Sequence, residues 1–363
     1  MRTIQEHLTL ESRIGGYEAA EARIDAVEAA YQNIADLVRT RSENIAFTDS
    51  ATAAYARALS AIPFKPGDAI LTTCNDFASN QIQFLALQSR IGLRVLRAPD
   101  NIEGGVDVAA MTELIERHQP KLVCVTHIPT NSGLVQDISA IGSVCRDAGV
   151  LYLVDACQSV GQMPVDVHEI KCDFLSATSR KYLRGPRGVG FLFVSDRVLH
   201  GGLEPQFLDL RGAKWIEQDE YRAVQDAKRF ENWEFAWALV LGTGVAASYA
   251  TGIGLNKIKD RVQVLATRLR NALSALECVR VLDRGAELCG IVSVHIEGHA
   301  PADMVTALRA RRINTYAHDR AHAVIDCDRK GVAASLRLSP HYYNTEEEID
   351  RTVAAVRELL SCA

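Results

Sequence analysis

Residues 150–193 read VLYLVDACQSVGQMPVDVHEIKCDFLSATSRKYLRGPRGVGFLF. Three short apolar runs, VLYLVDA, DFLSATS and VGFLFVS, punctuate this stretch and its edge, each rich in β-branched or aromatic residues and bounded by polar turn formers, as buried strands are. Upstream, four more runs of the same kind occur: IAFTDS at 45–50, AILTT at 69–73, LRVLRAP at 93–99 and KLVCVTH at 121–127. Helix-length amphipathic segments separate them, namely SATAAYARALSAI, SNQIQFLALQSRIG, VAAMTELIERHQ and ISAIGSVCRDAG. Strand and crossover helix in regular alternation predict an α/β fold whose large domain is a mostly parallel seven-stranded sheet with helices on both faces.

Downstream of residue 235 the texture changes. A long Ala- and Leu-rich stretch, FAWALVLGTGVAASYATGIG and then DRVQVLATRLRNALSAL, leads into the separated runs VRVLD, IVSVHIE, INTYAH and SLRLSPH. With PADMVTALRARR and EEEIDRTVAAVRELL as helices, this is a smaller C-terminal α+β domain. The last helix begins after Asn344-Thr345 with three glutamates in its first turn, which suits the positive end of the helix dipole. The expected organisation is an N-terminal segment, 1–30, packing with the small domain, a large domain over 31–240 and a small domain over 241–363.

With 363 residues, 48% of them hydrophobic, the chain is long enough for one domain of roughly 200 residues and a smaller one. The formal net charge is −5 and no Lys/Arg run accumulates, which argues against nucleic acid as a partner. No apolar run has the length of a signal peptide or a bilayer span, so no membrane partner is expected and the protein reads as cytoplasmic. Nine cysteines, at 74, 124, 145, 157, 172, 278, 289, 327 and 362, form no C-x-x-C pair, so a disulfide framework or zinc ribbon is not expected. The histidines, His127, His318 and His322 among them, have no spacing that names a metal.

The chemistry sits in the opening stretch. Asp155 ends a buried strand and Lys181 follows in a loop rich in hydroxyl and basic groups. Pyridoxal-phosphate chemistry needs such a pair, a lysine to form the Schiff base and a carboxylate to keep the pyridine nitrogen protonated so that the ring withdraws electrons from Cα. Ser50, Ala51 and Thr52 at a strand-turn-helix junction offer backbone N–H groups and hydroxyls to a phosphate. Thr178 and Arg180, flanking the lysine, reach toward it from the other side.

Taken in order, SAT near residue 51, VDACQS at 154–159, SRKYLRGPRG at 179–188 and SLRLSPHYYNTEEEID at 335–350 resemble the class V aminotransferase family of fold-type I pyridoxal-phosphate-dependent enzymes. The similarity runs over nearly the whole chain. GGYEAAE at 15–21, VTHIPTNSGLVQDI at 125–138 and RKYLRGPRGVGFL resemble the branch that holds cysteine and cystine C–S lyases, the ergothioneine-pathway sulfoxide lyase and isopenicillin N epimerase-like proteins. The resemblance implies Phe77 stacked on the cofactor ring, where cysteine desulfurases usually place a histidine, and Gln158 on its phenolic oxygen. An asparagine near that oxygen matches Thr130 or Asn131, with Asn131 favoured. Arg337 falls at the position that binds the substrate α-carboxylate, a bidentate task suited to guanidinium. Tyr17 and His341 are further substrate-side candidates, and Tyr17 or Tyr316 could serve as an acid. RFENWEFAW at 229–237 matches a stretch that reaches a neighbour's phosphate, which implies a homodimer with its active site at the interface.

Two features depart from that family. Desulfurases carry a nucleophilic cysteine ahead of the carboxylate-binding arginine, but here only Cys327 lies in that region and its register does not match. Related chains also open with an additional Asn-Ala-Gly segment, whereas this one starts almost directly at HLTLESRIGGYEAAE. The expected function is a carbon–sulfur β-lyase acting on an S-substituted cysteine or its sulfoxide. Transamination, or epimerisation or another biosynthetic step on a modified amino acid, is the alternative.

Overall fold

The computed structural model describes residues 1–361, which leaves Cys362 outside the described residues. All seven runs of the large domain are strands: β1 Ile45–Thr48, β2 Ala69–Thr72, β3 Arg94–Arg97, β4 Leu122–Thr126, β5 Leu151–Asp155, β6 Phe174–Thr178 and β7 Gly190–Val194. They form one sheet in the order β1-β7-β6-β5-β4-β2-β3. β2, β3, β4, β5 and β6 pair in parallel, while β7 runs antiparallel to both neighbours. Strands β4 to β7 are buried almost end to end because helices cover both faces, so they read as continuous apolar runs without alternation. One core packs Val123, Val125, Val154, Leu175 and Phe191 under helices that include Ile24–Val38, and the opposite face packs Cys124, Leu153, Phe174 and Leu192 against Tyr55, Phe84 and Phe230.

Beyond the sheet, β8 Ala213–Glu217 and β9 Glu220–Ala223 form an isolated hairpin. The reading of the sequence missed it because nearly every residue in it is exposed, so no apolar face marks its period. The small domain holds β10 Val279–Val281, β11 Val292–Ile296, β12 Tyr316–Asp319 and β13 Ala334–Leu338, antiparallel in the order β10-β11-β13-β12. Val292, Val294, Leu336 and Leu338 face a core closed by the helices Leu255–Ser274, Pro301–Ala310 and Glu346–Ser361.

The N-terminal segment packs on the helix that spans the expected domain boundary. Helix Arg2–Ile14 lies on helix Trp237–Ile253, where a Cβ on Gly242 would stand 2.7 Å from Ile4. Val240, Leu241 and Ala247 of that second helix share the large core with Val27, Ala30 and Ile34. The large body thus gathers both the N-terminal helices and the helix that a boundary at 240 would cut. No single helix among the described residues is long and apolar enough to cross a membrane.

Candidate active site

Parallel strands deliver their carboxyl ends to one edge of the sheet, where open α/β sheets place ligands. Here β4 ends at Thr126, β5 at Asp155 and β6 at Thr178. Asp155 is 3% exposed and accepts from Asn80 Nδ2 at 3.0 Å and from the Cys157 amide at 3.0 Å. Beneath it, Asp76 accepts from the hydroxyls of Thr72 and Thr126 and from the Phe77 amide at 2.9 Å. Burial raises the Asp76 pKa, countered by the two threonine hydroxyls. This supporting layer of Asp76, Asn80 and Thr126 was not anticipated. Its one sequence signal is Asp-Phe-x-x-Asn at the start of a helix, which also reads as an ordinary cap.

Lys181 follows β6 in a compact loop. The Arg184 amide closes a turn onto the Lys181 carbonyl at 2.9 Å, and Ser179 Oγ donates to the Pro186 carbonyl at 2.6 Å. Gly161, at φ 84°, backs the loop so closely that a Cβ there would lie 2.4 Å from the Leu183 nitrogen. The Lys181 ammonium stands 5.7 Å from the centroid of the Phe77 ring. Lys181, Asp155 and Phe77 therefore converge on one site.

Helix Ala51–Ser60 begins beside it. Ser50 caps it by accepting from the Ala53 amide at 3.1 Å, while the amides of Ala51 and Thr52 have no partner among the described residues. Gly190 of β7 passes directly beneath, where a Cβ would meet the Ala51 nitrogen at 2.5 Å, so only glycine lets the strand run this close to the helix start. Thr178 is buried at the end of β6 and Arg180 is exposed beside it.

Gln158 donates to Thr130 Oγ1 at 2.9 Å, and Arg337 Nη1 reaches the same hydroxyl at 3.0 Å and the Thr130 carbonyl at 2.6 Å. Of the two candidates in PTNSG, Thr130 is the residue turned toward Gln158 and Arg337. Asn131 instead donates to Asp326 at 2.6 Å and is tied to the small domain. Arg337 Nε donates to Ser339, and Nη2 has no hydrogen-bond partner among the described residues. Desolvation pulls the Arg337 pKa down, which leaves a guanidinium with strong reason to meet an anion.

Two substrate-side candidates lie elsewhere. His341 is buried and fully engaged: Nδ1 accepts from the Tyr342 amide at 2.9 Å, so Nε2 carries the proton toward the Tyr182 carbonyl at 3.0 Å. It stacks on Tyr182 at 5.1 Å, and burial lowers its pKa to about 4. His341 thus props the lysine loop. Tyr17 is 79% exposed on helix Gly16–Glu21, outside the cluster of this chain. Arg229 and Glu231 of the RFENWEFAW stretch point inward, Arg229 to the carbonyls of Val224, Leu199 and Leu203 and Glu231 to Tyr31 and Arg211. Cys327 is buried among Leu282, Ala323 and Val332, and burial raises its pKa.

The donor set fits pyridoxal phosphate. Asp155 is a buried carboxylate with no cationic partner among the described residues, which suits a protonated ring nitrogen. Among the described residues Lys181 has no carboxylate partner and the amides of Ala51 and Thr52 are free to receive a phosphate.

The chain is similar in sequence and in fold to known proteins. A family model described as aminotransferase class-V matches residues 3–352. A probable cysteine desulfurase of Methanothermobacter thermautotrophicus is 29% identical over 349 residues, covering 95% of this chain and 86% of that protein. An uncharacterized aminotransferase of Bacillus subtilis is 32% identical over 251 residues, 68% of this chain and 63% of its own length. In fold, the chain resembles the apo cysteine desulfurase of Thermococcus onnurineus, with a TM-score of 0.90 at 24% identity over 100% of this chain and 92% of that one. It also resembles a cystine C–S lyase solved with its product cysteine persulfide, with a TM-score of 0.86 at 23% identity over 97% and 92% of the two chains.

Proposed function

The chain belongs to the aminotransferase class-V family of pyridoxal-phosphate-dependent enzymes, and within it we propose a carbon–sulfur β-lyase that acts on an S-substituted cysteine or its sulfoxide and releases a sulfur compound, pyruvate and ammonia. The coarser statement, an enzyme that processes cysteine-like amino acids, has the support of the desulfurase relatives. The observation that carries the finer one is the fate of the thiol. Desulfuration needs an accessible, ionisable cysteine beside the substrate. Here Cys327 is a core residue, and Cys157, the thiol beside Asp155, has its pKa raised by burial and by that carboxylate. Elimination requires only a base, an electron sink and an acid at the leaving group.

The bound cofactor supplies the electron sink that makes the Cα proton acidic. In this reading the amides of Ala51 and Thr52, with Ser50, Thr178 and Arg180, hold its phosphate. Asp155, fixed by Asn80 and the Cys157 amide, keeps the ring nitrogen protonated. Gln158 and Thr130 would meet the phenolic oxygen, and Phe77 would lie against the ring. Lys181 would hold the cofactor and, when free, would take the Cα proton. Arg337, pinned through Nη1 and Nε, offers its free edge to the α-carboxylate and so fixes which Cα bond faces Lys181.

A homodimer belongs to this proposal. Phe207, Leu210, Trp215, Tyr221 and Trp233 are 81%, 65%, 75%, 53% and 55% exposed, and Trp233 is tied to the hairpin base through Asp209. An apolar patch of that kind supports burial against a second copy. The eight described cysteines are all free, which suits the reducing cytoplasm.

The test is pyruvate release by cofactor-loaded protein given S-substituted cysteines and their sulfoxides. Lys181-dependent pyruvate supports the lyase. A keto acid that keeps its β-substituent points to transamination and overturns it.

A further inference from the structure

The small domain presents a second cluster of ionisable rings that the proposed mechanism does not yet use. Strand β12 pairs with β13 so that Tyr316 lies opposite Arg337 and His318 opposite Ser335. Cross-strand partners share a face of a sheet. Tyr316, His318 and Arg337 therefore look the same way, while Ala317, Leu336 and Val294 turn toward the apolar core. The shared face is the one applied to the large domain, since Ser293, paired with Arg337 from the other side, donates to the Asn131 carbonyl at 2.7 Å and Arg337 reaches Thr130.

His322 follows on the short turn Arg320–His322. Its ring lies 5.0 Å from His318 and 6.2 Å from Tyr316, and Tyr316 and His318 meet edge to face at 5.1 Å. His322 Nδ1 is 2.8 Å from Asp319 Oδ1. A carboxylate only accepts, so Nδ1 carries a proton and Nε2 is left for another partner. Carboxylate-oriented imidazoles of this kind serve as general acids and bases because the acid fixes the ring and stabilises its charged form. His318 is 4% exposed, and its Nδ1 has no partner. Its pKa falls to about 3, through burial and then through the charge of Arg337, with Lys181 contributing, so this ring is a neutral spacer.

We propose that His322, held by Asp319 and packed on His318 and Tyr316, is the general acid that protonates the leaving sulfur group. This rests on the lyase reading above. When Lys181 removes the Cα proton, that C–H electron pair becomes the Cα–Cβ double bond and the Cβ–S bond breaks with its pair on sulfur. The Nε2 proton of protonated His322 passes to the departing group, which leaves as a neutral thiol, or as a sulfenic acid from a sulfoxide, and the imidazole becomes neutral. No oxidant or reductant is involved. His322 is thus a catalytic residue, and Asp319 and His318 are positioning residues.

An acid matters most for a poor leaving group. The experiment uses cofactor-loaded enzyme with an S-alkyl and an S-aryl cysteine, following pyruvate release and, in deuterated water, exchange of the substrate Cα proton. His322→Gln is expected to keep Cα exchange, which Lys181 performs, to lose about 10²-fold in kcat/KM on the S-alkyl substrate, and to lose little on the S-aryl one. Asp319→Asn, on an exposed turn that tolerates the change, is expected to show the same selectivity in weaker form. Equal losses on both substrates, or none, overturn the role of His322 while leaving the lyase intact. Wild-type enzyme that exchanges the Cα proton but releases no pyruvate overturns the lyase reading and this role with it.

Discussion

The two walls of the site are built on different principles. The large-domain side stands on the buried carboxyl ends of β4, β5 and β6, and its polar groups satisfy one another: Asp155 with Asn80, and Asp76 with Thr72 and Thr126. The small-domain side rests on the edge strand β12 and two short turns of helix, with Tyr316 53% exposed and His322 half-buried. A fully paired buried network has one arrangement and resists change. An edge strand with open side chains can be altered without unfolding the domain. In the proposed reading the labour is divided between a fixed cofactor floor and an adjustable substrate wall.

The contrast breaks most visibly at Lys181. Lys181→Ala is expected to lower turnover by about 10²–10⁴-fold or more with the fold intact, checked by pyruvate assay and circular dichroism. On the other wall, Arg337→Lys is expected to raise KM by roughly 10- to 100-fold with a smaller effect on kcat, since one charge-assisted hydrogen bond is worth about 1.5–3 kcal/mol and lysine has no planar fork. An unchanged KM would remove Arg337 from carboxylate binding.

A pH series sharpens the same comparison through stability. His127, His341 and His318 all have folded pKa values lowered, chiefly by burial, to about 4, about 4 and about 3. Above the ordinary histidine value of about 6.5 the three rings are neutral whether the chain is folded or not. As pH falls below that value the unfolded chain takes up protons that the folded chain refuses, so stability declines down to about pH 4. Each buried ring contributes on the order of 2 kcal/mol to that decline. Urea unfolding at pH 7.5 and 5 should show it, and His341→Gln should flatten it. A smaller effect is expected from Thr130→Val, which removes the hydroxyl shared by Gln158 and Arg337 and should cost about 1 kcal/mol in kcat/KM. Asn131→Ala should leave that ratio nearly unchanged, since its amide faces Asp326.

The same division explains what could be read from the chain alone. Seven β-branched runs between amphipathic helices are a strong periodic signal, and the seven strands lie where those runs are. Lys181 and Asp155 could be singled out because each belongs to a motif at or just past a strand end, and the fold brings both to one edge of the sheet. Asp76 and Asn80 were not, since a cap and a buried support look alike before the strands bring Thr126 across. His341 was misplaced on the substrate side because the sequence does not show that both its ring nitrogens bind backbone. Thr130 and Asn131 are neighbours in an irregular segment, where one residue of rotation exchanges the side chain that faces the site. The hairpin β8–β9 carried no apolar face to betray it, and the Asp319–His322 pair closes across a turn whose spacing names no known motif.

The central claim is that this site eliminates a sulfur group and does not transfer sulfur to a thiol. Product analysis on L-cysteine and S-methylcysteine tests it most directly, by measuring pyruvate and alanine from the same reactions. The account predicts pyruvate and ammonia from the S-substituted substrate, dependent on Lys181, with no alanine from either. Alanine from L-cysteine, with persulfide sulfur left on the protein, would contradict it.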